Sequence, residues 1–205
     1  LRDHEVLTFC ADDAHGAPIM MKADELGIEP TAFIDEINKN HQESLANFGI
    51  EYTNYYSTHS KENEALVSEI YLDAKSSGYI YKKEIEQCFD EEKQMFLADR
   101  YVVGECPKCS AKDQYGDGCE ECGATYSATE LINPKSSLSG TTPITKISEH
   151  IFFDLEKAKD DLVNFLDNSS IQKPILGKLS EWLDGDLKSW DISRDAPYFG
   201  FQIPD

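Results

Sequence analysis

At 205 residues the chain is long enough to bury a core without disulfides, as one large domain or two small ones. With 40% hydrophobic and 28% charged residues its composition is that of a globular protein, and no apolar run approaches the roughly 20 residues that span a bilayer, which argues against membrane-spanning helices. Its 39 acidic and 19 basic residues leave a net charge of -20, which repels phosphate backbones over most of the surface, so any nucleic-acid contact must be local.

The opening stretch "LRDHEVLTFCADD" has no charged segment followed by an apolar one and a small-residue cleavage site, so a reducing, cytoplasmic setting is expected. "EVLTFCADDAHG" (5–16) runs apolar and then turns polar, the pattern of a buried parallel strand that delivers Asp12, Asp13 and His15 to its C-terminal end. Helical spacing follows over 19–27 and 31–48, the latter between Pro30 and Gly49. Alternation in "IEYTNYYSTHS" predicts a second strand at 50–56, and Ser60 caps a helix over 61–76 that Gly78 stops. Strand, helix, strand, helix is the order of a right-handed α/β unit. From about residue 79 the pattern becomes short strands, in "YIYKKEIEQCF", "MFLADRYVV" and "TPITKISEHIFFDL". Beyond Leu155, Leu162, Phe165 and Leu166 mark one helix, and Ile175, Leu179, Trp182, Leu183 and Leu187 a second.

Within the β-rich stretch lies C-x2-C-x9-C-x2-C, formed by Cys106, Cys109, Cys119 and Cys122. Two such corners can wrap four thiolates around one tetrahedral Zn2+, and structural zinc is the reading they favour. Disulfides suit a reducing compartment less well, and a thioredoxin-like redox pair needs only one corner. The remaining thiols, Cys10 and Cys88, fall in apolar strand patterns and read as small core residues.

Other chemistry is incomplete. Asp12 and Asp13 suit a cation or ammonium site, an acid/base pair or an ordinary Asx turn. For His15 a turn-capping role is the first reading, and Arg194, between Asp191 and Asp195, reads equally as a functional cation or a local ion pair. No nucleophile signature, phosphate-cradling glycine loop or H-E-x-x-H helix is present.

Four stretches in order, "CADDAHGAPI" (10–19), "YSTHS" (56–60), "CPKC...CEECGATY" (106–126) and "WDISRDAPYFG" (190–200), resemble the bacterial methionyl-tRNA synthetases, which are class I aminoacyl-tRNA synthetases. The resemblance covers essentially the whole chain. It implies an α/β fold: a partial Rossmann-type catalytic domain over 1–75, and over 76–205 a connective-peptide insertion that is β-rich, carries a zinc knuckle at 106–122 and has flanking helices. It further implies ATP- and Mg2+-dependent activation of methionine and its transfer to tRNA(Met). Asp13 would hold the methionine ammonium, with Arg194 pairing to that carboxylate, and Cys106, Cys109, Cys119 and Cys122 would bind one structural Zn2+. The family's H-x-G-H-type and K-M-S-K-S-type nucleotide motifs are absent from residues 1–205, so the chain alone is expected to be inactive. A free-standing zinc module that recognises protein or RNA is the other reading.

Overall fold

The computed structural model describes residues 3–185 and 187–204. Strand β1 (Phe9–Asp12) leads into helix α1 (Ala17–Leu26), helix α2 (Pro30–Asn47), strand β2 (Asn54–Ser57) and helix α3 (Lys61–Ser76). β1 and β2 pair in parallel, from Phe9 opposite Asn54 to Asp12 opposite Ser57. Parallel neighbours need a crossover, and α1 and α2 supply it. α1 ends at Gly27 in the left-handed conformation (φ 67°), where the Ile28 N–H reaches back to the Ala23 carbonyl at 3.1 Å. In α3 the Ser60 hydroxyl accepts from the Asn63 N–H, with Glu62 and Glu64 in the first turn and Lys75 in the last, all favourable to the helix dipole. Among the described residues no helix is long and apolar enough to cross a membrane.

β1 departs from the expected buried strand. It is paired on one side only, leaving Phe9 68% exposed and Cys10 on the surface. A parallel strand is buried only when neighbours cover both edges and faces, and among the described residues β1 has one neighbour. The reading of Cys10 as a core residue is therefore corrected, whereas Cys88 is buried as expected.

The second half is antiparallel. β3 (Ile80–Asp90) and β8 (Ile144–Phe153) pair over ten consecutive residues, flanked by β4 (Met95–Phe96) and β9 (Trp190–Asp191). A three-stranded sheet of β5 (Val102–Glu105), β6 (Gln114–Tyr115) and β7 (Ile132–Ser136) carries the cysteine segment, and helices α4 (Lys159–Asp167) and α5 (Lys173–Leu183) follow β8. The central core joins the halves: Ala17 of α1 packs with Cys88, Leu97, Tyr101, Val102, Ala128 and Leu131. Near it lies a buried carboxylate, Asp90, which accepts the N–H groups of Glu92 and Lys93 and the Ser139 hydroxyl at 2.6 Å. Burial raises its pKa, but these bonds and one from Ser136 outweigh that and bring it down to about 2.

Candidate functional site

The four cysteines arrive through two corners with the same backbone wiring. In the first, the Ser110 N–H bonds the Cys106 carbonyl and the Cys106 N–H bonds the Ala111 carbonyl. In the second, Gly123 and Ala124 do the same around Cys119. The fifth residue of each corner takes positive φ, 61° at Ser110 and 71° at Gly123, which turns the chain back on itself. The corners also aim N–H groups at sulfur: Lys108 and Cys109 at Cys106, and Cys122 at Cys119, at 3.3–3.5 Å.

All four sulfurs lie within 4.8 Å of one another, with Cys106–Cys122 at 3.8 Å and Cys109–Cys119 at 3.6 Å. A disulfide needs about 2.05 Å, so the sulfurs are not bonded to each other. A regular tetrahedron with metal–sulfur bonds of ~2.3 Å has edges of about 3.8 Å, and the observed separations match it. Burial raises the Cys106 pKa, but the N–H bonds from Cys109 and Lys108 overcome that and leave the thiol at about 6. At Cys109 the Ala111 N–H favours the thiolate, yet the adjoining sulfur of Cys122 prevails and pushes it up to about 12. Cys106 is thus held toward the thiolate while Cys109 and Cys122 are held toward the thiol, and a divalent cation among the four sulfurs would favour the thiolate form. The donor set fits a structural zinc knuckle.

At the end of β1, Asp12 is held from three sides. Tyr55 donates to Oδ1 at 2.5 Å, His41 Nδ1 lies 2.8 Å from the same oxygen, and Asn38 donates to Oδ2 at 2.6 Å. Burial works against the carboxylate, but the bonds from Tyr55, His41 and Asn38 together lower its pKa. Burial and Asp12 in turn push the Tyr55 phenol up. Asp12 therefore fastens β1 to α2 and β2. Asp13, the next residue, is exposed.

His15 does not cap the turn. Its Nε2 lies 2.8 Å from His59 Nδ1, and both rings pack against Phe199 and Phe201. Burial, then the charge on His59, lowers the His15 pKa, consistent with one ring donating to the other. The His15, Phe199 and Phe201 rings border a cleft of about 650 Å3 whose other walls include His150, Asp191, Arg194, Asp195 and Tyr198. Arg194 lies on that wall, where Nη1 donates to the Ser193 carbonyl and stands 3.6 Å from Asp191 Oδ1. Among the described residues no ion pair joins Asp13 to Arg194, and the local pairing with Asp191 is what the structure shows. The reason is proximity: Asp191 lies three residues away in the same segment.

Sequence reasoning missed His59, Gln87, His150 and the role of Asp195. Burial raises the Asp195 pKa, but Ser148, His150 and Gln87 bond its carboxylate and lower it. A signal was available for His150, because Lys146, Ser148 and His150 alternate on the inner side of β8 while Ile147 points outward, 64% exposed. A polar stripe on a covered strand face marks a network.

The fold is that of solved methionyl-tRNA synthetases from Mycobacterium tuberculosis. One, in complex with methionyl-adenylate, superposes with a TM-score of 0.65 at 14% identity, covering 99% of this chain and 36% of that one. A second, also bound by methionyl-adenylate, gives 0.64 at 15% identity, covering 98% and 35%. The chain therefore spans about a third of the length of those enzymes. The family of tRNA synthetases class I (M) matches residues 1–205, every position of the sequence, and the chain belongs to that family.

Proposed function

We propose that the chain forms part of a cytoplasmic methionine–tRNA ligase, which activates methionine with ATP and Mg2+ and transfers it to tRNA(Met). The observation that carries this is the family match across the whole chain, together with a fold shared with two synthetases bound to methionyl-adenylate. On this reading residues 1–75 belong to the Rossmann-type catalytic domain and 76–205 to its connective-peptide insertion, a division that falls at the last residue of α3. One Zn2+ per chain, held by Cys106, Cys109, Cys119 and Cys122, orders the insertion and takes no part in the chemistry. Asp13, exposed at the C-terminal end of β1, takes the methionine ammonium, and Arg194 on the cleft wall supports that end of the site.

Adenylate formation needs preorganised positive groups around the transferring phosphoryl centre, each supplying several kcal/mol. Neither signature motif that the family uses for this lies within residues 1–205. The chain alone is therefore proposed to be inactive, and the complete synthetase active. Methionine-dependent pyrophosphate exchange on both tests this. Exchange by the complete protein with methionine, and none by the chain alone, is expected. Exchange that depends on another amino acid would overturn the assignment, and turnover by the chain alone would overturn the placement of the site.

A further inference from the structure

We propose that His150 is the positioning residue for Arg194: its buried ring on β8, backed by Gln87 on β3, fixes the loop 191–195 so that the guanidinium stands on the wall of the cleft. This rests on the reading that Arg194 serves the amino-acid end of that cleft.

His150 is 2% exposed, the most deeply buried ionisable side chain bordering the cleft. Its Nδ1 lies 2.6 Å from Asp191 Oδ2, and Nε2 lies 3.0 Å from Asp195 Oδ2. These two acids bracket Arg194. Asp191 uses its two oxygens for different tasks: Oδ2 meets the imidazole, while Oδ1 takes the Ser193 N–H at 3.1 Å and faces Arg194 Nη1 at 3.6 Å. A chain of contacts thus runs from the buried ring through one carboxylate to the guanidinium. Asp195 is pinned on the other side by the Ser148 hydroxyl at 2.6 Å.

The two ring nitrogens take different parts. The Gln87 amide nitrogen can only donate, so at 2.6 Å it requires His150 Nε2 to accept, and carboxylates only accept, so the Asp191 contact requires a proton on Nδ1. The same Gln87 amide then carries the link to Asp195 at 2.8 Å. Two backbone-level bonds complete the seat, Ile192 N–H to the Ile151 carbonyl and Ile151 N–H to the Ser193 hydroxyl, both at 2.9 Å. Arg194 itself is 57% exposed along its side chain, so its aim depends on the loop beneath it rather than on packing around it.

The test uses the complete synthetase with His150→Asn, His150→Gln, Arg194→Gln and the double variant His150→Gln/Arg194→Gln. KM for methionine and KM for ATP are measured separately by pyrophosphate exchange, and thermal melts confirm folding. An Asn amide can stand in for Nδ1 and keep the Asp191 arm, whereas Gln reaches the Nε2 side and abandons it. His150→Gln is expected to raise the methionine KM about 10- to 100-fold, the size of a lost charged hydrogen bond, with the ATP KM unchanged. His150→Asn should rescue most of that loss, and the double variant should be no worse than Arg194→Gln alone, because both changes cut one chain of contacts. Equal rises in both KM values, or additive losses in the double variant, would overturn the proposal in favour of a purely structural histidine. If His150→Gln does not fold, Asp191→Asn cuts the same link without touching the ring, and a normal methionine KM there overturns it as well. A normal methionine KM in Arg194→Gln would instead remove the reading of Arg194, and this proposal with it.

Discussion

The four-cysteine knuckle and the β1–β2 unit reach order by opposite routes. In the knuckle nearly every bond closes within about twenty residues: each corner ties its own carbonyls and N–H groups, and the sulfurs meet at one point. The β1–β2 unit keeps its hydrogen bonds at home but not its apolar surface. Phe48 is 84% exposed, and Leu66, Val67 and Ile70 of α3 lie on the surface with no residue of that helix buried. Local wiring plus a cation can order a segment with little core, while a parallel strand and its helices depend on how much else is packed against them.

The largest effect should come from breaking the knuckle. Cys106→Ser or Cys119→Ser is expected to abolish zinc binding, worth ~10–16 kcal/mol in comparable sites, and to free amides 105–126 to exchange at unfolded rates. The β1–β2 amides should hardly respond. Elemental analysis with hydrogen exchange checks both halves, and collapse of β1–β2 protection would show that the two regions are not independent.

Next in size is Asp90, which like the knuckle secures its own turn but uses a carboxylate in place of a metal. Its folded pKa of about 2 lies below the unfolded value of 3.8. The carboxylate's contribution, on the order of 2 kcal/mol, is therefore full above pH ~4 and is lost as pH falls toward 2. Asp90→Asn should flatten that acid limb in a series of urea melts. An unchanged limb would place the acid sensitivity elsewhere.

A smaller contrast sits inside the knuckle. Gly123→Ala should cost about 1 kcal/mol, because a Cβ there meets no neighbour and only the left-handed backbone resists it. Ser110→Gly, at the matching position of the first corner, should gain up to about 1 kcal/mol by the same argument. Zinc-competition titrations resolve both signs, and equal signs would mean that the corners are not equivalent.

The smallest effect belongs to α3. Ile70→Lys is expected to change the stability of the chain by less than about 0.5 kcal/mol, since the side chain is already 57% exposed. A loss above ~1 kcal/mol in a denaturant melt would reveal a cover over that face.

Legibility in the sequence follows the same division. The four cysteines, the Ser60 cap and the bounds of α3 at 61 and 76 were readable because each depends on residues a few positions apart. β1 was readable as a strand but not as an exposed one, because exposure is set by partners that its own alternation does not encode. Cys10 was misplaced for that reason. The His150 network escaped because β8 turns polar residues inward, so hydrophobic alternation assigns its faces the wrong way round. Asp13 and Arg194 came from resemblance alone. Their separation of 181 positions carries no local signal, and here Arg194 sits with Asp191.

The β3–β8 ribbon runs in unbroken register from Ile80 opposite Phe153 to Phe89 opposite Ile144. At ~3.4 Å per residue it is a beam of about 30 Å. Its Cys88 end packs into the core with Leu97 and Tyr101, just ahead of the strand that leads into the cysteine corners. Gln87, the residue next to Cys88, and His150 on β8 grip the loop bearing Arg194. The core contact and the grip on that loop are therefore one residue apart on a single strand, so the packing around Cys88 and the seat of Arg194 share one piece of backbone.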